Sequence, residues 1–260
     1  MKVPQFKWMA YRKANPRARF RLLCFPYAGG GASIFRSWGS YLPDTVEVCP
    51  VQLPGRETRV AEPPYSEIEP VLEALCENLR EFLDLPYALF GYSMGAVISF
   101  ELARLLPARM LPGPCHLFVG ARPGPRLRDP DPPTSGLSDE EFIRDVAEMG
   151  GMPDELLGNR EWLEFLLPTL RADFALCESF QYLPRGILRC PLSVYGGMKD
   201  AKTTYPKLQA WSAETSSVCT IKQFQGGHFF INENRDALLR AISEELSACM
   251  LPLVNASGIA

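Results

Sequence analysis

Histidine is the scarcest chemistry-bearing residue in this chain: His116 and His228 are the only two in 260 residues. A mechanism that needs a base near neutral pH therefore has two imidazoles to choose from. No run of 18 apolar residues occurs, which argues against a membrane-spanning helix. Charges and prolines break up the first 25 residues before the apolar segment of a secretory signal can form. Paired cysteines are missing as well. Cys24, Cys49, Cys76, Cys115, Cys177, Cys190, Cys219 and Cys249 are scattered, the nearest two thirteen positions apart. With no CxxC pair and no HExxH there is no metal-ligand spacing, so no metal and no cofactor are expected. The scatter predicts reduced, mostly buried thiols in a cytoplasmic protein.

Net charge is also small, 27 basic against 30 acidic residues for −3, which disfavours a dedicated nucleic-acid binder. The charge is uneven. Residues 1–21 hold Lys2, Lys7, Arg12, Lys13, Arg17, Arg19 and Arg21 with no acid, so +7 sits in this leader and −10 in the remainder. The leader reads as a solvated tail, with a docking patch for an acidic partner as the other reading.

What is present is an ordinary globular composition, 47% hydrophobic and 22% charged, enough to bury a sizeable core. The length suits one domain carrying an insertion. Short β-forming runs alternate with segments of helical period, the pattern of an α/β fold with a mostly parallel sheet between helices. Strands are predicted at Phe20–Phe25, Val46–Val51, Tyr87–Phe90, His116–Val119, Leu192–Tyr195 and Val218–Phe224. Val71, Leu72, Leu75, Leu79, Phe82 and Leu83 form one stripe on a helix over about Ile68–Asp84, and further helices are predicted over Gly95–Leu106 and Arg235–Cys249. The alternation stops from about Arg122 to Arg189. There a proline-rich run leads to a helix opened by the capping box Ser138/Glu141 and to a second helical stretch over Arg160–Phe180. A helical insertion above a parallel sheet is where a lid sits.

Gly91-Tyr92-Ser93-Met94-Gly95 follows a predicted strand and precedes a predicted helix, the context of a nucleophile elbow. A serine hydroxyl needs a base to take its proton. His116 starts a predicted strand, the place of a packed histidine, whereas His228 lies in the loop Gly226-Gly227-His228-Phe229-Phe230 before the last helix and is the better candidate. The orienting acid is expected between the two in chain order; Asp200, in the loop after Leu192–Tyr195, fits best, with Asp173 and Asp145 as weaker alternatives inside predicted helices. Attack on an acyl carbonyl makes an oxyanion that backbone N–H groups must meet. Met94 should give one, and the loop Phe25-Pro26-Tyr27-Ala28-Gly29-Gly30-Gly31 the other, from Ala28 or from its neighbours Tyr27 and Gly29. That loop has neither the lysine of a phosphate loop nor GxGxxG spacing.

Taken together these motifs resemble the type II thioesterases that accompany polyketide and nonribosomal peptide synthases, within the α/β-hydrolase fold. The likeness runs from about Phe20 to Leu246. It is carried by the Phe25–Gly30 loop with Phe35 and Trp38, by Gln52-Leu53-Pro54-Gly55-Arg56-Glu57 with Arg59, by the Ser93 elbow, by Gly196-Gly197 before Asp200, and by Gly227-His228-Phe229-Phe230. Where the family often has histidine this chain has Tyr27, a change that leaves the triad untouched because the loop contributes backbone. The resemblance implies hydrolysis of acyl thioesters on the phosphopantetheine arm of acyl or peptidyl carrier proteins, and a helical lid at about residues 122–189. Carrier proteins are usually acidic, so Arg122, Arg126, Arg128 or the leader are candidates for steering them. Arg56 is expected to make a structural ion pair, and the protein to be a monomer. Elbow and triad do not by themselves separate a thioesterase from an ester hydrolase or acyltransferase of the same fold, nor from a noncatalytic carrier-binding module.

Overall fold

In the computed structural model, residues 7–128, 131–151 and 158–256 are described. Six strands form one sheet: β1 (Phe20–Phe25), β2 (Val46–Pro50), β3 (Tyr87–Tyr92), β4 (His116–Gly120), β5 (Leu192–Gly197) and β6 (Cys219–Phe224). Their order is β2-β1-β3-β4-β5-β6 and every pairing is parallel. Side chains alternate across the sheet. Leu23 and Phe25, Tyr87 and Leu89, Leu117 and Val119, and Leu192 and Val194 enter one core. Phe20, Leu22 and Cys24, Ala88, Phe90 and Tyr92, Phe118 and Tyr195 enter the other. Burial on both faces is why these strands read as continuous apolar runs rather than alternating ones.

Helices α1 (Ile68–Asn78) and α2 (Met94–Ala108) cover the first face. The long C-terminal helix Arg235–Ala256 contributes Leu238, Leu239, Ile242 and Leu246 to the second. Trp38 is wedged there edge-on to Phe35 and Phe90, at ring-centroid distances of 4.9 and 4.8 Å. Helix α1 is shorter than its apolar stripe suggests. The Asn78 amide bonds back to the Ala74 carbonyl at 2.7 Å, and the chain tightens into a single turn over Arg80–Phe82 that still buries Leu79, Phe82 and Leu83. Val218 lies just outside β6 and is exposed.

Between β4 and β5 the described residues hold α3 (Asp139–Glu148) and α4 (Arg160–Ser179). Both halves of the Ser138/Glu141 capping box are made. Phe142 and Val146 of α3 pack on Leu167 and Leu170 of α4.

The basic leader is not a solvated tail. Lys7 pairs with Glu62, Arg12 with Glu47, Arg17 with Asp44, and Arg21 with both Glu47 and Asp84. Trp8 and Met9 are buried, and the Arg59 guanidinium lies 4.1 Å over the Trp8 ring. Each of these cations meets an acid of the body, which composition alone cannot reveal; Lys2 lies outside the described residues. None of the eight cysteines is in a disulfide; three are buried and five half-buried. Burial pushes the Cys49 thiol up to about 12, so its nucleophilic form is suppressed.

Candidate active site

The strand order reverses between β1 and β3, so their carboxyl ends diverge and leave a crevice. The glycine-rich loop leaves β1 there and Ser93 leaves β3. Ser93 has φ +53°, a left-handed backbone that serine rarely adopts, forced by the turn from β3 straight into α2. The flanking glycines make that turn possible. A Cβ on Gly91 would stand 2.1 Å from the Gly95 carbonyl oxygen, and one on Gly95 would stand 2.2 Å from the Phe25 carbonyl oxygen of β1.

Ser93, His228 and Asp200 come together as one hydrogen-bonded chain. His228 Nε2 lies 3.1 Å from Ser93 Oγ, and Nδ1 lies 2.8 Å from Asp200 Oδ2. Asp200 is almost fully buried and takes three further bonds: from the Lys202 N–H at 2.9 Å, the Thr203 N–H at 3.3 Å and the Thr203 hydroxyl at 2.6 Å. Burial alone would raise its pKa, but the hydrogen bond and charge of His228, with the hydrogen bonds of the Thr203 hydroxyl and the Lys202 backbone, outweigh it and hold the carboxyl below the ordinary aspartate value. The Tyr92 hydroxyl donates to the His228 carbonyl, the Phe229 ring stands edge-on to the imidazole at 5.1 Å, and the Tyr27 ring stands edge-on to Phe229 at 5.1 Å. A carboxylate on Nδ1 leaves the Nε2 lone pair facing the serine, so this chain can accept the hydroxyl proton.

The other candidates are placed elsewhere. His116 is buried against Phe118, with Nε2 2.8 Å from Ser193 Oγ and 3.3 Å from Glu245, as a packed histidine should be. Asp173 is engaged by Arg56 through two bonds of 2.7 Å, and Asp145 lies on α3 next to Arg144. Thr203 and Tyr92 went unread in the sequence; an Asp followed three residues later by Thr is the turn pattern that would have flagged the first.

Met94 opens α2, so its N–H has no partner one turn back and faces the crevice end of the helix. Across the crevice, the Gly29 N–H is committed to Asp173 Oδ2 at 2.7 Å, which removes it from the oxyanion candidates. Among the described residues the Ala28 N–H meets no acceptor of the protein. Above these groups opens a cleft of about 1560 Å³, floored by Ser93 and His228 and roofed by Leu163, Leu166, Leu170 and Phe174 of α4. Arg122, Arg126 and Arg128 line its rim. Arg126 is already spent, bonded to the buried Glu214 at 2.6 Å and lying over the Tyr182 ring. Among the described residues no group of three or more His, Cys, Asp or Glu is arranged to hold a metal ion, and no helix is long and apolar enough to cross a membrane.

A parallel sheet that delivers serine, aspartate and histidine from the carboxyl ends of its third, fifth and sixth strands defines an α/β-hydrolase. Residues 20–246 match the thioesterase domain family, and the chain belongs to it; it is a hydrolase of thioesters. It is 38% identical to the gramicidin S biosynthesis protein GrsT of Aneurinibacillus migulanus over 248 residues, 95% of this chain and 97% of that one. Among solved structures it is similar to the type II thioesterase BorB from the borrelidin biosynthetic cluster, with a TM-score of 0.85 and 35% identity over 94% of this chain and 100% of that one. It is also similar to RedJ, the thioesterase from the prodiginine pathway of Streptomyces coelicolor, with a TM-score of 0.83 and 39% identity over 88% of this chain and 91% of that one.

Proposed function

We propose that this protein is a type II thioesterase that frees acyl groups held as thioesters on the phosphopantetheine arm of carrier proteins in a polyketide or nonribosomal peptide synthase. It acts as a cytoplasmic monomer on a separate carrier. The observation that carries this reading is the Ser93–His228–Asp200 hydrogen-bonded chain at the floor of an apolar-roofed cleft. Relatives named for gramicidin S, borrelidin and prodiginine biosynthesis support the synthase setting.

Ser93 Oγ attacks the thioester carbon as its proton passes to His228 Nε2, and Asp200 stabilises the imidazolium. The developing oxyanion is met by the Met94 and Ala28 N–H groups, each worth about 3 kcal/mol at the transition state. As the C–S bond breaks, His228 returns the proton to the pantetheine sulfur. Water then gives a proton to His228 and attacks the acyl-serine. The ester bond breaks, Ser93 regains its proton, and a carboxylic acid leaves. Atoms balance with water as the one co-reactant. A long acyl chain lies along the α4 leucines, where burying each methylene gains about 0.8 kcal/mol.

The test is intact-protein mass spectrometry of acetyl, propionyl and longer-chain acyl carrier proteins incubated with wild type or with Ser93→Ala. Loss of the acyl mass with phosphopantetheine retained, in wild type alone, is the expected result. Cleavage of simple esters without carrier deacylation makes the protein a general esterase. Transfer of the acyl group to an added alcohol or amine in preference to water makes it an acyltransferase. No labelling of Ser93 by a fluorophosphonate makes it a binding module.

A further inference from the structure

In the loop that carries Ala28, the Gly30 N–H bonds to the Tyr27 carbonyl at 2.9 Å and the Ile34 N–H to the Gly31 carbonyl at 3.4 Å. Its remaining anchors come from outside. Asp173 Oδ2 accepts the Gly29 N–H at 2.7 Å, Arg56 donates to the Gly30 carbonyl at 3.1 Å, Gln52 accepts the Ala32 N–H at 3.0 Å, and Glu57 accepts the Ser33 N–H at 3.3 Å. Three of these anchors belong to the segment after β2. The fourth, Asp173, belongs to α4, the helix that roofs the cleft.

Arg56 and Asp173 are joined by two parallel bonds of 2.7 Å, and their side chains are 6% and 1% exposed. A bidentate guanidinium–carboxylate pair fixes angle as well as distance. Because Asp173 Oδ2 also accepts the Gly29 N–H, one carboxylate joins α4, the segment after β2 and the glycine loop. One turn earlier on the same face of α4, the Thr169 hydroxyl donates to the Gly55 carbonyl at 2.6 Å. Between them Leu170 lies against Gly29, where an added Cβ would stand 2.8 Å from its Cδ1. The helix thus touches the glycine loop and its support through three successive inward-facing groups.

We propose that Arg56 and Asp173 are positioning residues that couple the seating of α4 to the aim of the Ala28 N–H. With α4 seated, Asp173 holds the Gly29 amide and Arg56 the Gly30 carbonyl, which fixes the peptide plane one residue away that faces the reacting carbon. When α4 lifts, the carboxylate leaves with it and the loop loses its bond at Gly29 and the partner that orients Arg56. A substrate that props the helix open is therefore bound without being hydrolysed, so that turnover is licensed by the fit of the acyl chain under α4. This inference rests on Ser93 as nucleophile and on the glycine loop as oxyanion donor.

The experiment measures kcat and KM on an acyl-pantetheine thioester, inhibition by an alkyl boronic acid that mimics the tetrahedral adduct, and Tm, for Asp173→Ala, Asp173→Asn, Arg56→Lys and Ser93→Ala. A displacement of about 1 Å costs about 10² in rate, so Asp173→Ala is expected to lose roughly that factor in kcat with KM near wild type. Boronate affinity falls by the same factor, since it reads the same donors. Asp173→Asn keeps an oxygen for the Gly29 N–H and recovers part of the rate. Glu47→Gln, which breaks a buried pair with Arg21 at the far edge of the sheet, lowers Tm and leaves kcat unchanged. Wild-type kcat and boronate affinity in both folded Asp173→Asn and Arg56→Lys, with Ser93→Ala inactive, overturn the coupling alone. An active Ser93→Ala overturns the catalytic reading beneath it.

Discussion

Asp200→Asn is close to isosteric, yet the bonds around Asp200 determine how the new side chain must sit. Oδ1 receives two backbone N–H groups, from Lys202 and Thr203. Oδ2 receives the Thr203 hydroxyl and faces His228 Nδ1. If the asparagine NH2 took the Oδ1 place, it would oppose two backbone donors, so its oxygen goes there and its NH2 takes the Oδ2 place. The Thr203 hydroxyl can rotate to accept; His228 Nδ1 can accept only by giving up its proton. The imidazole is then held with its proton on Nε2, pointing at Ser93, and cannot receive the serine proton. The expected loss in kcat is about 10⁴, or about 5 kcal/mol of transition-state stabilisation. The assay is steady-state hydrolysis of an acyl-pantetheine thioester with Tm measured alongside. Nitrogen NMR reads the tautomer directly, since His116 and His228 are the only imidazoles. A loss smaller than tenfold, or a His228 still protonated on Nδ1, would refute the assignment of Asp200.

Gly95→Ala tests the elbow. Alanine at an ordinary helix position stabilises by about 1 kcal/mol relative to glycine, but here its Cβ meets the Phe25 carbonyl oxygen at 2.2 Å, so the sign reverses. A thermal melt at or above the wild-type Tm would contradict that close contact. Glu62→Gln tests how the leader is held. The hydrogen bond from Arg59 and the pairing with Lys7 pull the Glu62 pKa from 4.5 down to about 2. A depressed carboxyl stabilises the fold above its unfolded pKa and loses that contribution as pH falls through the folded one. The urea-unfolding gap between wild type and variant should therefore be fully open above pH 4.5 and close toward about pH 2; a gap that widens on acidification means Glu62 is not the anchor.

Much of the catalytic end of the molecule was legible because its signals are local. The elbow needs glycines at 91 and 95, and they stand in the sequence on either side of Ser93. His228 stands out by elimination from two histidines and Asp200 by its place after a strand, and the structure joins both to Ser93 in one hydrogen-bonded chain. The six strands were legible from their apolar runs, with ends shifted by one or two residues at Pro50, Tyr92, Gly120, Gly197 and Cys219. What stayed hidden is whatever joins distant segments. Asp173 offered itself as a spare acid of the triad, whereas its partner Arg56 lies 117 residues away and spacing gives no hint of the pairing. The leader misled for the same reason. Its lysines and arginines were visible, but Glu47, Glu62 and Asp84, which pair with Lys7, Arg12 and Arg21, are spread over the body of the chain.

The strand order leaves β2 and β6 as the outer members of the sheet. An open strand edge is a template on which another copy can pair, and repeated pairing yields fibres rather than folded enzyme. On β6, Thr220 and Lys222 are exposed, and a lysine there must be desolvated before a second strand can add. On β2 the protection comes from elsewhere in the chain. Arg12 and Asn15 close on Glu47, and the Trp8 carbonyl takes the N–H of Gln52, so the leader lies along that strand. Loss of the leader would therefore show itself first as self-association through bared β2, at concentrations where the intact chain stays dispersed, and only second as a fall in thermal stability.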